Sequence, residues 1–206
     1  MLKTAAAATR MTGSVPMKYA TVKKILDVCF ALFLFVVLSP LIGLLSLLIA
    51  ASRTGPVFFR QRRPGKDGKI FTIFKFRTMI ESTEKGGAAL SDFERLTKLG
   101  KFLRAASLDE LPQLINIIRG EMSFIGPRPL LCEYLELYTP RQMRRHEVLP
   151  GIAGHAQTNG RNVTTWDERF GYDIYYVDHM SFVFDLKIAV KTVLYALRRQ
   201  GINSEE

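Results

Sequence analysis

The chain has 206 residues, of which 48% are hydrophobic, yet Lys and Arg number 29 against 19 Asp and Glu, a formal charge of +10. That length supports one domain with a real core plus one further element. Apolarity combined with such basicity argues against an ordinary soluble enzyme. It suits a protein on an anionic membrane that handles phosphorylated substrates. Nucleic-acid binding would share the charge but would not explain a long apolar run, so no nucleic-acid partner is expected.

In chain order, "MLKTAAAATRMTGSVP" carries little information, and residues 1–16 are read as a leftover of expression outside the fold. From Val28 to Ser52 the chain then reads "VCFALFLFVVLSPLIGLLSLLIAAS" without a charge. Such a run makes about 37 Å of helix, enough for a bilayer core of roughly 30 Å. Ser39 and Pro40 sit in its middle, where proline deletes a backbone hydrogen bond and a bend is expected. In lipid the freed carbonyl needs a partner, and the Ser39 hydroxyl is near. Lys18, Lys23 and Lys24 precede the run and Arg53, Arg60, Arg62 and Arg63 follow it. Basic flanks on both sides favour a re-entrant hairpin over a simple span. Asp27 is expected to be paired or interfacial, because a carboxylate deep in lipid is costly.

"PVFFRQRRPGKDGKIFTIFKFRTM" reads as strands over 57–62 and 70–79 around a turn at Pro64 to Gly68. Lys75 and Arg77 fall on one face, either an ordinary solvated face or a cationic wall for phosphate or lipid headgroups. Residues 91–106 place Phe93, Leu96, Leu99 and Leu103 at helical spacing opposite Arg95, Lys98, Lys101 and Arg104. The pattern fits a basic interfacial helix or an ordinary core-packed one. The last amphipathic stretch, "DLKIAVKTVLYALRR", is also basic.

Between these lies "SLDELPQL", with Asp109 and Glu110 adjacent. Ser107 and Glu110 fit a capping box, which puts both acids in a first helical turn, where the dipole favours anions. They are thus either helix-start acids or a reactive pair. In "GEMSFIGPRPLL" two prolines stiffen the loop around Arg128, giving either a turn with an exposed arginine or a bidentate phosphate ligand. Residues 149–179 read as a long, turn-rich segment. Gln157, Asn159 and Arg161 offer hydrogen bonds there, and Trp166, Tyr172, Tyr175 and Tyr176 offer stacking surfaces for a nucleoside or sugar. Cys29, Cys132, His146, His155 and His179 show no disulfide framework or metal-ligand spacing, which fits a reducing compartment.

Five stretches in order, "KKILDVCFALFLFVVLSPL", "GPVFFRQRRPGKDGKIFTIFKFRTM", "LGKFLRAASLDELPQLINIIRGEMSFIGPRPLL", "LPGIAGHAQTNGRN" and "YDIYYVDHMSFVFDLKIAVKTV", resemble the bacterial sugar transferases, the monotopic polyprenyl-phosphate phosphoglycosyl transferases. The likeness covers nearly everything from Lys18 to Val193. It implies an α+β fold: a kinked re-entrant membrane helix over 17–52, then a catalytic domain over 53–206 with interfacial amphipathic helices and a short β-hairpin. The enzyme would lie on the cytoplasmic face of the bacterial inner membrane.

The implied reaction moves a phospho-sugar from a UDP-sugar to undecaprenyl phosphate and releases UMP. Asp109 would be the nucleophile of a covalent intermediate, with Glu110 beside it and Mg²⁺ held by Asp109 and Glu110. Arg104, Arg128, Arg161 and Lys75 would hold phosphate groups. By overall likeness the donor is expected to be UDP-N,N'-diacetylbacillosamine in protein N-glycosylation, the alternative being another UDP-sugar for capsule, O-antigen or exopolysaccharide. Anionic lipids and downstream glycosyltransferases are the other expected partners. Two competing readings are a phosphohydrolase that transfers to water and a membrane-anchored binding protein.

Overall fold

The structure is a computed structural model that describes residues 17–81, 84–85, 88–159 and 165–197. The first 16 residues and Arg161 lie outside the described residues.

Helix α1, Met17–Ala51, is 35 residues long and runs unbroken through Pro40. At 1.5 Å per residue it is about 52 Å long. Pro40 has no N–H for the Val36 carbonyl, and the Ser39 hydroxyl donates to that carbonyl at 2.8 Å, as the sequence led one to expect. One side of α1 is buried, with Ala31, Leu45 and Ile49 at most 4% exposed, while Phe33, Val36 and Leu47 are 60–70% exposed. Burying one such side chain is worth about 1.5–3 kcal/mol, so a row of them left bare marks a surface made for a non-aqueous neighbour.

Among the described residues the core consists of three clusters, and α1 contributes to all of them. Tyr19 and Ala20 pack on Ile125, Val148, Tyr176, Val177, Met180 and Ile188. Ala31 joins Ile73, Leu114, Ile117 and Met122, and further along Leu45 and Ile49 join Phe76 and Leu103. The polar residues near the start of α1 are tied down as well. Lys23 pairs with Asp185 at 2.8 Å and with Asp27 at 3.4 Å, and Ser123 donates to Asp27 at 2.6 Å. Asp27 is therefore paired, as expected.

Strands β1 (Phe58–Pro64) and β2 (Ile70–Phe76) form an antiparallel hairpin with Phe58 opposite Phe76. The turn uses positive φ at Asp67 and Gly68, +56° and +71°. The second strand is shorter than the expected 70–79. The regular ladder ends at the Phe58–Phe76 pair, beyond which one further bond follows, the Arg77 N–H to the Val57 carbonyl at 2.9 Å. A minimal hairpin follows, β3 (Glu84–Lys85) with β4 (Ala88–Ala89).

The single amphipathic helix expected over 91–106 is instead two, α2 (Asp92–Arg95) and α3 (Lys98–Ala105). Leu96 leaves the helix to bridge Met79, and the Thr97 hydroxyl caps α3 by accepting from the Gly100 N–H at 2.8 Å. Gly100 must be glycine: a Cβ there would lie 2.0 Å from the Thr78 carbonyl, so α3 sits backbone-close on the chain leaving β2.

A 3₁₀ turn over Leu108–Gln113 leads into α4, Leu114–Ile118. Strand β5 (Ser123–Ile125) pairs in parallel with β6 (Gly151–Ala153), and the short α5 (Pro140–Met143) lies between them in sequence. The segment 149–179, read as turn-rich, contains α6 (His155–Asn159) and the fourteen-residue α7 (Trp166–His179). The sequence signal for α7 is Phe170, Ile174 and Val177, all buried and spaced as one helical stripe. Helix α8, Phe182–Leu197, buries Ile188 but leaves Phe182, Val183, Leu186, Val190 and Val193 at least half exposed. Phe93 of α2 and Phe102 of α3 are likewise exposed, at 61% and 59%.

Candidate active site

The expected capping box at Ser107 does not form. Ser107 adopts a left-handed conformation, φ +54°, and its side chain makes no cap hydrogen bond. The carboxylate that should have reached back is engaged elsewhere: one oxygen of Glu110 accepts from Lys75 at 2.8 Å and from Arg128 at 2.9 Å. Two charge-assisted bonds outcompete one neutral backbone N–H. Burial alone would push the Glu110 carboxyl up, but Arg128 and Lys75 outweigh it and bring the carboxyl down to about 2.

Asp109, only 9% exposed, is in a different condition. Burial raises its pKa above the ordinary carboxylate range and the adjacent Glu110 adds to the rise, with Lys75, Arg104 and Arg128 pulling the other way. Among the described residues no donor hydrogen-bonds its carboxylate. Of two neighbouring acids, one is neutralised by ion pairs and the other is left available.

Both acids border a cavity of about 1130 Å³ that, among the described residues, is lined by eight cations and four acids. The excess of cations suits a polyanion. Lys75, Arg104 and Arg128 are on its wall, and so is Arg77, so the strand-face alternation of Lys75 and Arg77 does point at the site. The Arg104 guanidinium is fixed there by its Nε donating to the Thr78 hydroxyl at 3.0 Å. Ser39 and Pro40 belong to α1 and do not border the cavity.

Of the polar and aromatic groups singled out in 149–179, Gln157 and Trp166 line the cavity. The Gln157 side-chain oxygen is buried with no hydrogen-bond partner among the described residues. Trp166 stacks on Phe170 at 5.9 Å between ring centres. Tyr172, Tyr175 and Tyr176 do not line it. The first two pack on His155, and Tyr176 is buried with its hydroxyl on Asp185. Asn159 instead bonds Lys191 and His155.

Sequence reasoning missed Arg145 and Asp173. The "RQMRRHEV" run looks like a solvated basic surface, yet Arg145 is 4% exposed. Asp173 did carry a signal, an acid placed between Phe170 and Ile174 on the buried stripe of α7.

Residues that could hold a divalent cation are Asp109 and Glu110. Among the described residues no group of three or more His, Cys, Asp or Glu converges on one point. That donor set fits Mg²⁺, which prefers oxygen, uses one or two carboxylates and completes its shell with water and substrate phosphate.

Comparison with known proteins gives a consistent result. Residues 18–199 match the family described as bacterial sugar transferase. The chain is 49% identical over 180 residues to the uncharacterized sugar transferase EpsL of Bacillus subtilis, covering 87% of this chain and 89% of that protein. It is 39% identical to the UDP-glucose:undecaprenyl-phosphate glucose-1-phosphate transferase of Klebsiella pneumoniae, covering 83% of this chain but 39% of that protein. It is 38% identical to the UDP-N-acetylgalactosamine-undecaprenyl-phosphate N-acetylgalactosaminephosphotransferase of Aeromonas hydrophila, covering 85% of this chain and 43% of that protein.

Proposed function

The chain belongs to the bacterial sugar transferase family, and from that premise we propose that it moves a phospho-sugar from a UDP-sugar to undecaprenyl phosphate through a covalent adduct on Asp109. In the first step a carboxylate oxygen of Asp109 attacks the sugar-bearing phosphorus. The bond from that phosphorus to the bridging oxygen breaks, and UMP leaves with the electron pair. In the second step a phosphate oxygen of undecaprenyl phosphate attacks the same phosphorus, the bond to Asp109 breaks, and the carboxylate is regenerated. The product is a sugar diphospho-lipid, the first membrane-bound intermediate of a glycoconjugate.

The observation that carries this reading is the buried Asp109 carboxylate, which receives no donor among the described residues, at the wall of a cavity with an excess of cations. A carboxylate nucleophile divides one anion-on-anion displacement into two steps. Arg104, Arg128 and Lys75 offset the repulsion that the pyrophosphate would otherwise meet. Mg²⁺ bound by Asp109 and Glu110 would neutralise phosphate charge and polarise the phosphoryl oxygen. Glu110, kept ionised by Lys75 and Arg128, is ready to act as a hard oxygen ligand.

The packing of α1 supports the proposed membrane placement. A helix crossing the bilayer would carry one half away from the soluble body, whereas here residues at both ends and the middle of α1 are packed into its core. That supports re-entrance, with all catalytic groups on the cytoplasmic face of the inner membrane and the bare apolar sides of α1 and α8 toward lipid.

The donor is a UDP-sugar. Diacetylbacillosamine rests on overall likeness, and the relatives named for glucose and N-acetylgalactosamine make UDP-glucose and UDP-N-acetylgalactosamine the first donors to try. The test is UMP release from a panel of these UDP-sugars with and without undecaprenyl phosphate, combined with mass spectrometry of the intact chain. A phospho-sugar adduct on Asp109 that disappears on adding the lipid is expected. Turnover that persists in Asp109→Asn would overturn the nucleophile assignment.

A further inference from the structure

We propose that the buried ion pair of Arg145 with Asp173 is a positioning device that fixes Arg128 in the active site. Arg145 lies in the 3₁₀ turn Arg144–Glu147, and Asp173 lies on α7. Their side chains are 3% and 6% exposed. Every nitrogen of the Arg145 guanidinium is engaged: Nε and Nη2 donate to Asp173 at 3.0 and 2.8 Å, and Nη1 donates to the Tyr138 hydroxyl at 3.0 Å. Nη2 also donates to the backbone carbonyl of Arg128 at 2.7 Å. The Tyr138 and Phe170 rings cover the guanidinium at 5.8 and 5.6 Å. Although Arg145 borders the cavity, four of its five N–H donors are taken by protein groups, so its main action is through Arg128.

The Arg128 loop is built to be held. Just before it, the Gly126 N–H donates to Ala153 at 2.9 Å and the Gly151 N–H donates to Pro127 at 3.0 Å. Gly126 and Gly151 meet backbone to backbone, since a Cβ on Gly151 would lie 2.1 Å from the Gly126 nitrogen. Those bonds fix the entry to the loop. The Arg145 bond fixes the backbone of Arg128 itself, on a scaffold reaching across to α7. From that backbone the Arg128 side chain extends to Glu110 at 2.9 Å. A displacement of about 1 Å at a group that orients phosphate can cost on the order of 100-fold in rate.

The inference rests on the reading of Arg128 as a phosphate ligand, and the test separates the two. The full-length chain, in detergent or nanodiscs, is assayed for UMP release from UDP-glucose, with UDP-glucose binding measured by calorimetry. Arg145→Lys keeps the charge but cannot supply the forked donors. Arg145→Met combined with Asp173→Leu removes both charges together and so leaves no unpaired charge behind, while freeing the Arg128 carbonyl; such an exchange of a buried pair is commonly tolerated in stability. Both are expected to keep their melting temperature within a few degrees while the KM for UDP-glucose rises and kcat/KM falls by about 10- to 100-fold. In an Arg128→Ala background neither should cost anything further in kcat/KM or, where turnover is too slow to read, in affinity. Unchanged kcat/KM in a folded variant, or the same loss in both backgrounds, overturns the positioning role. If Arg128→Ala itself leaves kcat/KM intact, the phosphate-ligand reading fails instead.

Discussion

Two buried aspartates, Asp185 and Asp109, show how differently a fold can treat the same side chain. Asp185, where α8 meets α1, is 7% exposed and saturated, accepting from the Tyr19 and Tyr176 hydroxyls at 2.6 and 2.7 Å and pairing with Lys23 at 2.8 Å. Asp109 is 9% exposed, receives no donor among the described residues, and is surrounded by cations that reach its neighbour Glu110. A buried carboxylate with both oxygens bonded, as in Asp185, holds elements together. One left unsatisfied beside an excess of positive charge is kept for a ligand.

The largest effect that would sharpen this contrast comes from replacing each aspartate by asparagine. Asp109→Asn should lower UMP release by on the order of 10³-fold or more, as loss of a nucleophile does. It should also leave stability unchanged or raised. The sign follows from the Asp109 carboxyl being pushed up by burial: the folded state keeps that proton to higher pH than the unfolded state, so folding stability falls as pH rises through that window. Asparagine removes that cost. Asp185→Asn should do the reverse, costing about 3–5 kcal/mol by leaving Lys23 with a broken pair, while the folded fraction keeps its turnover. Thermal melts and UMP assays on both variants check the contrast, and equal destabilisation by the two substitutions would break it.

A smaller effect is expected at Glu110. With Glu110→Gln, a negative neighbour of Asp109 is lost and Lys75 and Arg128 are released to act on it, so its carboxyl should ionise at lower pH. The acid limb of the pH–rate profile should therefore move down, even though the rate at neutral pH falls about 10- to 100-fold through the lost ligand and orienting contacts. A limb that stays in place or moves up would show that Asp109 does not titrate in that limb.

Much of this site was legible in the sequence because it is local. The Asp109–Glu110 pair, the stiff loop around Arg128 and the alternation of Lys75 with Arg77 can be read within a few residues, and all border one cavity. What failed depended on competition at a distance. The Ser107 box was a sound local expectation, but Lys75 and Arg128, 35 and 18 residues away from Glu110, offered that carboxylate stronger bonds. The break between α2 and α3 depends on Leu96 meeting Met79, and Arg145 is buried only because α7 brings Asp173 to it. No window around "RQMRRHEV" holds that information.

The smallest effect tests the membrane end. Ser39 replaces the hydrogen bond that Pro40 denies Val36, and nothing in the cavity touches it. Ser39→Ala should therefore cost only about 0.6 kcal/mol, the average for a side-chain hydrogen bond within a membrane protein, and leave kcat/KM unchanged. The exposed side of α1 is apolar on both sides of Pro40, from Phe33 and Val36 to Leu47. Both arms are thus suited to lipid, and both are anchored to the same soluble core, so the topology should survive the loss of one hydrogen bond. Cysteines placed near Lys18 and Arg53 in sealed vesicles read this directly. Labelling of both from the same face, in Ser39→Ala as in the parent chain, is expected. Labelling from opposite faces in the parent would show that α1 spans the bilayer, and a switch confined to Ser39→Ala would make that single hydroxyl, rather than the packing of α1, the determinant of topology.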